Sequence, residues 1–164
     1  MKIIYPDKEF TALTSSDHRK ELSIFLAGTI DNGNSYDWQN DVIKGFEKID
    51  QELPYCLTFY NPRRANWESN ASKELLEEQI KWEQKHLDKS DIIIMILSDN
   101  SKSPITLLEL GLYAQSGKLI VFCTNKFYRF DNVRLTCEKY FIPLVNSTKT
   151  KDIIQEVKTV MDKI

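Results

Sequence analysis

The chain has 164 residues, enough for one domain with its own hydrophobic core. Its 41% hydrophobic and 28% charged residues are typical of a globular protein, and a formal net charge of −2 gives no electrostatic basis for binding a nucleic acid or an anionic membrane. No apolar run approaches the ~20 residues that span a bilayer, and residues 1–20 have no signal-peptide core.

Strand-like and helix-like patterns alternate along most of the chain. Residues 1–20 have no clear period and form either a leading strand over 1–5 or an arm. After them, short apolar runs predict strands at 22–27, 55–60, 91–97, 118–124 and 140–145. Apolar residues at helical spacing predict helices at 37–53, 71–89, 104–116, 132–139 and 148–164.

This alternation predicts a parallel sheet with helices on both faces, in a single domain over 21–164 preceded by an N-terminal arm over 1–20. The nearly continuous apolar run 91–97 is typical of a central strand that is buried on both faces. Ser35 or Asp37 is suited to cap the first helix, and Ser103 precedes Pro104 at the start of the third.

The three cysteines, Cys56, Cys123 and Cys137, are odd in number and not closely spaced, which fits neither a disulfide framework nor a zinc site. Cys56 and Cys123 lie in strand-like runs and are expected to be buried thiols. Reduced thiols favour a cytoplasmic location. The sequence implies no metal and no redox cofactor.

Polar and small residues follow the first three predicted strands, at the edge of the sheet where such folds bind ligands. The candidate binding residues at this edge are Gly28, Thr29, Asp31, Asn61, Arg63, Arg64, Trp67 and Ser103. The Gly28 loop is expected to bring backbone donors close to a ligand. Arg63 and Arg64 are suited to a phosphate or carboxylate, although a solvated surface pair is the alternative.

The third predicted helix carries one charge, Glu109, among leucines. A helix that is apolar nearly all round is expected to be buried nearly all round, so its carboxylate is either paired or functional. An exposed gap, or an ion pair to a neighbouring helix, is the structural alternative. Tyr113 lies on the same face as Glu109, and Gly111 would permit close backbone approach.

These segments, in this order, resemble the nucleoside 2-deoxyribosyltransferase-like family. The resemblance extends over about residues 22–140. The matching pieces are 25–31 with 37–39, 61–64, 79–83, 90–91 and 103–111.

The resemblance implies a flavodoxin-like doubly wound sheet of about five mainly parallel strands, a homo-oligomer, and transfer through a covalent glycosyl-enzyme. It implies Glu109 as the nucleophile, Glu83 as the group that handles the leaving base, and Asn132 as a residue lent by a neighbouring subunit. The known transferases have an aspartate where this chain has Ser103, which leaves base recognition open.

The expected activity is transfer of a 2-deoxyribosyl group between nucleobases. Two alternatives stay open: an N-glycosidase that hydrolyses nucleosides or nucleotides, and a non-catalytic nucleotide-binding module. The expected partner is a small nucleoside or nucleotide. Arg63 and Arg64 favour a 5′-phosphate, and Asp31 is suited to a sugar hydroxyl. Trp38, Trp67 or Tyr113 is suited to stacking on the base, with core packing as the alternative for each.

Overall fold

The computed structural model describes residues 1–7, 18–31, 35–64 and 71–164. Its strands are β1 (Lys2–Ile4), β2 (Lys20–Gly28), β3 (Tyr55–Tyr60), β4 (Ile92–Leu97), β5 (Leu119–Cys123) and β6 (Leu144–Val145). They form one sheet in the order β1-β3-β2-β4-β5-β6, and every pairing is parallel. The helices are α1 (Trp38–Glu47), α2 (Lys73–Lys89), α3 (Pro104–Tyr113), α4 (Phe130–Tyr140) and α5 (Thr150–Met161), with a 3₁₀ helix over Asp50–Glu52.

The predicted doubly wound, flavodoxin-like α/β fold is confirmed. Helices α1 and α5 pack on one face of the sheet, and α2, α3 and α4 contribute to the core on the other face. All six residues of β4 are buried, as its continuous apolar run predicts. The sheet has six strands instead of about five because β1 pairs with β3 at the edge. No helix among the described residues is both long and apolar enough to cross a bilayer.

The two largest differences from the predicted element boundaries have local reasons. The first helix ends at Glu47, before the 3₁₀ helix, and Arg19 donates to the carbonyls of Asp50 and Leu53. The last strand shrinks to two residues because α4 continues to Tyr140 and Phe141 then adopts a left-handed backbone, φ 56°. The three cysteines are buried and unpaired.

The sheet has one topological switch point, between β2 and β4. From β2 the chain crosses to β3 on one side and later returns to β4 on the other, so the loops after β2 and β4 diverge and leave a crevice. Gly28 lies at this point with φ +143°, and a Cβ there would lie 2.4 Å from the carbonyl oxygen of Ile96. Only glycine therefore allows β2 to approach β4 this closely.

Candidate active site

A cavity of about 470 Å³ opens at the switch point, a size within the range of small-molecule pockets. The loop after β2 forms one wall, the start of α3 forms a second, and α2 forms the third. Its polar and glycine lining residues are Gly28, Thr29, Asp31, Gln79, Glu83, Ser103, Thr106 and Glu109. The crevice at the switch point is therefore where six of the sequence candidates meet.

Glu109 is half-buried on α3 and lines this cavity. Burial is the main cause that raises the pKa of Glu109, and the charge of Glu83 adds to it, which brings the pKa to about 8. No lysine or arginine of the described residues forms an ion pair with this carboxylate. Glu109 therefore neither lies in an open gap of the helix face nor is neutralised by a neighbouring helix. A carboxylate with a strongly raised pKa and no cationic partner is common in active sites.

Glu83 on α2 lines the same cavity and is held by Gln79. The Gln79 Nε2 atom donates to Glu83 Oε1 at 2.7 Å and to the Pro62 carbonyl at 2.9 Å, while Gln79 Oε1 accepts from Arg64 Nε at 2.6 Å. Burial raises the pKa of Glu83, and the Gln79 hydrogen bond and the Arg64 charge partly oppose that rise. Gln79, only 3% exposed, therefore joins the loop after β3 to the second carboxylate.

Sequence reasoning missed Gln79 because its i,i+4 spacing from Glu83 also fits an ordinary solvated helix face. Thr106 was not among the candidate binding residues, yet it is buried and lines the cavity. Its hydroxyl makes no hydrogen bond with the described residues, so it remains able to donate to or accept from a ligand.

A chain of hydroxyl groups connects the two loops of the cavity. Thr29 Oγ1 lies 2.6 Å from Ser103 Oγ, which lies 3.0 Å from Ser101 Oγ, and Ser101 Oγ donates to Asp31 Oδ1 at 2.7 Å. The backbone N–H of Thr29 donates to the Ile96 carbonyl at 3.1 Å and is therefore not available to a ligand.

Asp31 and Ser103 both have left-handed backbones, φ 49° and 43°. Ser103 occupies the N-cap position of α3 as predicted, but its hydroxyl makes no capping bond because it is engaged with Thr29 and Ser101.

The first helix has a side-chain cap, since Asp37 Oδ1 accepts from the Asn40 N–H at 3.1 Å.

The two arginines bind protein groups beside the cavity and do not line it. The Arg63 Nη1 atom donates to Ser35 Oγ at 3.3 Å and to Gln39 Oε1 at 3.2 Å, and Arg63 Nε lies 3.8 Å from Asp37 Oδ1. Arg63 thus ties the loop after β3 to the start of α1, while Arg64 is bonded to Gln79. Among the described lining residues there are three carboxylates and no lysine or arginine.

The other predicted residues lie apart from the cavity. Asn61 is buried and accepts from the Arg63 N–H at 3.0 Å. The Tyr113 hydroxyl donates to Asp88 at 2.7 Å, and burial followed by Asp88 raises the pKa of Tyr113. Asn132 lines a separate cavity of about 340 Å³ between α3 and α4. Trp67 lies outside the described residues.

The expectation that α3 is buried nearly all round is wrong for a single chain. Ile105, Leu108 and Leu112 are 59%, 58% and 65% exposed. A Cβ on Gly111 would meet no atom of the described residues within 4 Å, so no backbone in the described ranges approaches it closely. Leu76 and Ile80 of α2 are also exposed, and they line the cavity together with Ile105. The apolar strip on α3 therefore continues to the mouth of the cavity.

No group of three or more histidine, cysteine, aspartate or glutamate side chains in the described ranges is arranged to hold a metal ion. The cavity instead offers carboxylates, hydroxyls and apolar surface. Paired carboxylates in such a setting are suited to nucleophilic and acid–base chemistry at a glycosidic carbon.

Comparison with known proteins identifies the family of this chain. The model of the family described as nucleoside 2-deoxyribosyltransferase like matches residues 21–127. A conserved protein from Enterococcus faecalis V583 shares the fold with a TM-score of 0.56 at 12% identity, covering 85% of this chain and 98% of that one. A 2-deoxyribosyltransferase from Bacillus psychrosaccharolyticus aligns at 25% identity and a TM-score of 0.45, covering 61% of this chain and 71% of that one. No curated protein sequence matches significantly. Because the family model covers more than half of its length, the chain belongs to the nucleoside 2-deoxyribosyltransferase-like family.

Proposed function

We propose that the protein transfers a 2-deoxyribosyl group between nucleobases through a covalent bond between the sugar C1′ and Glu109. The observation that carries this proposal is the half-buried Glu109 carboxylate, which lines the switch-point cavity beside Glu83 and has no cationic partner among the described residues. Family membership supports the same class of chemistry.

In the first step the ionised Glu109 attacks C1′ as the bond from C1′ to the base nitrogen breaks. The bonding electron pair leaves with the base, and a proton from Glu83 neutralises it. In the second step a new base attacks C1′, the ester bond to Glu109 breaks, and the proton of the incoming N–H passes to Glu83. Two displacements at one carbon retain its configuration.

The cavity favours a single proton on the two carboxylates. The negative charge of one carboxylate opposes ionisation of the other. The raised pKa of Glu109, about 8, therefore describes the loss of the last proton of the pair, when Glu83 is already charged. The singly protonated pair contains both a nucleophile and an acid. Gln79 and Arg64 stabilise the Glu83 anion, so the substrate must help to move the proton from Glu109 to Glu83.

The substrate that fits this charge pattern best is a nucleoside with a free 5′-hydroxyl. The described lining residues supply three carboxylates and no cation, which would repel a phosphate. Arg63 and Arg64, the residues that favoured a nucleotide at first, are bonded to Asp37, Gln39 and Gln79. A deoxynucleoside is therefore expected to have a higher kcat/KM than its 5′-monophosphate.

The active form is proposed to be a homo-oligomer in which a second copy covers the apolar strip of Ile105, Leu108 and Leu112. Exposed apolar patches that border a binding site are typical of interfaces. Under this arrangement Asn132, which lies away from the cavity of its own chain, is available to the site of a neighbour. The buried, unpaired thiols are compatible with the reducing cytoplasm, where we place the reaction.

The test incubates the purified protein with a deoxynucleoside, with and without a second free base, and separates the products by chromatography. Base exchange supports a transferase, release of base without exchange supports a hydrolase, and no reaction leaves a binding module. Glu109→Gln is expected to abolish exchange. Glu47→Gln, an exposed glutamate on α1, is the matched control and should leave it unchanged.

A further inference from the structure

The hydroxyl chain across the cavity has a fixed direction of donation. Ser101 Oγ donates its one hydroxyl proton to Asp31 Oδ1 at 2.7 Å. Ser101 Oγ then has only acceptor capacity left, and it accepts from the Ser103 N–H at 3.1 Å and from Ser103 Oγ at 3.0 Å. Each further hydroxyl along the chain is oriented by the one before it.

Thr29 completes the chain in the same direction. Because the Ser103 proton is committed to Ser101, the 2.6 Å contact requires Thr29 to donate to Ser103 Oγ. Thr29 Oγ1 in turn accepts from the backbone N–H of Ser98 at 3.1 Å. The order of donation is therefore Thr29 to Ser103, Ser103 to Ser101, and Ser101 to Asp31.

The wall that these residues present to the cavity consequently has acceptors and no hydroxyl donor. Thr29, Ser103 and Asp31 line the cavity, whereas Ser101 does not and is 8% exposed. Every hydroxyl proton of the wall is directed along the chain. Lone pairs of Thr29 and Ser103 remain for a ligand, and Asp31 Oδ2 accepts no hydrogen bond from the described residues.

We infer that Ser101 is a specificity-positioning residue, which by holding the Ser103 proton makes this wall select ligand groups that donate hydrogen bonds over groups that only accept them. This inference rests on the proposed function. In a nucleoside the wall would recognise one of two donor groups, an amino group on the base or a hydroxyl on the sugar. A carbonyl in the same place would face a lone pair. One net hydrogen bond changes affinity by roughly three- to tenfold.

Loss of Ser101 has a consequence that a purely structural serine would not have. In Ser101→Ala the Ser103 hydroxyl no longer has its acceptor, so its proton can turn into the cavity and donate to a carbonyl. The wall then accepts either kind of partner, and the selectivity for donors falls although no lining residue has changed. Ser101→Thr keeps a hydroxyl that can donate to Asp31 and should preserve the selectivity.

Ser147 provides a matched control. Its hydroxyl donates to Asp152 Oδ2 at 2.5 Å and accepts from the Lys149 N–H at 3.2 Å, the same pattern of carboxylate acceptor and i+2 amide donor, beside α5. Ser147→Ala therefore removes an equivalent local motif without touching the cavity. Circular dichroism and thermal unfolding establish that both alanine variants fold.

The experiment measures binding by calorimetry in the Glu109→Gln background, so that it does not depend on turnover. One arm compares deoxyadenosine with 6-methoxypurine 2′-deoxyriboside, which exchanges the base amino group for an ether oxygen that can only accept and leaves N1 an acceptor. The other compares deoxyadenosine with its 3′-O-methyl derivative, which removes a sugar donor and leaves an acceptor. We expect a preference for the donor of about three- to tenfold in at least one arm, reduced to about twofold or less by Ser101→Ala and unchanged by Ser147→Ala or Ser101→Thr.

Equal affinities in both arms, a preference that survives in Ser101→Ala, or no binding of any nucleoside would overturn the inference. Donor preference without base exchange by the wild-type protein would instead refute the proposed function and leave the inference standing. If Ser101→Ala does not fold, the folded Ser101→Thr and Ser147→Ala proteins still decide it, because loss of the preference in either contradicts the assigned direction of donation.

Discussion

Glu109 should make the folded protein less stable as pH rises, and Glu109→Gln should remove this effect. The pKa of Glu109 rises from its ordinary value of 4.5 to about 8 in the folded protein. Between these two values the folded state keeps the proton and the unfolded state releases it. The free energy of unfolding therefore falls by at most ~1.4 kcal/mol for each pH unit in this window.

The full shift over that window corresponds to an upper bound of about 5 kcal/mol. Glu109 is half-buried rather than enclosed, so solvent screening reduces the effect, and we expect about 1–3 kcal/mol between pH 5 and pH 8. A glutamine at this position has no proton to release. The free-energy difference between Glu109→Gln and wild type should therefore grow in favour of the variant as pH rises.

Urea unfolding of both proteins at pH 5, 6, 7 and 8 measures this difference directly, with Glu47→Gln as the exposed control. Subtraction of the curves removes most contributions from other titrating groups, which the proteins share. Parallel curves for wild type and Glu109→Gln over this range would mean that Glu109 ionises alike in the folded and unfolded states. The assignment of Glu109 to a poorly solvated cavity would then be refuted.

Other predictions follow from the same geometry. The kcat/KM for base exchange should decline above pH 8 as the carboxylate pair loses its last proton; a rate that climbs steadily to pH 10 would contradict this. Gly28→Ala should lower the free energy of unfolding by about 2 kcal/mol or more, because its Cβ would lie 2.4 Å from a backbone oxygen. Gly111→Ala, where a Cβ meets nothing within 4 Å, should be neutral or stabilise by up to about 1 kcal/mol in chemical denaturation. Leu108→Glu should shift the protein toward the monomer in sedimentation velocity, and an unchanged distribution would place the interface elsewhere.

Local sequence patterns were sufficient to predict the architecture of this fold. The apolar run of β4 needed no information from elsewhere in the chain, and the Asp37 cap depends on an N–H three residues away. Glu109 was singled out from the sequence as the one charge of an apolar helix and through the family resemblance, and it lines the cavity. The strand order, which determines where the crevice lies, was not predicted.

The roles of Ser101 and Arg63 were not predictable in this way, because their partners lie far along the chain. Ser101 bonds to Asp31, 70 residues away, and nothing in the polar stretch after β4 distinguishes it from its neighbours. Arg63 has the composition of a phosphate ligand but bonds to Ser35, 28 residues earlier. Composition likewise does not distinguish a helix covered by its own chain from one left open, as Leu112 illustrates.

Covalent capture of the sugar on Glu109 tests the central claim most directly. The protein is mixed with a deoxynucleoside, quenched in acid within one turnover, digested and mapped by mass spectrometry. We predict a deoxyribosyl adduct on the peptide that contains Glu109, absent from Glu109→Gln. Base exchange without that adduct, together with exchange by Glu109→Gln, would contradict the account.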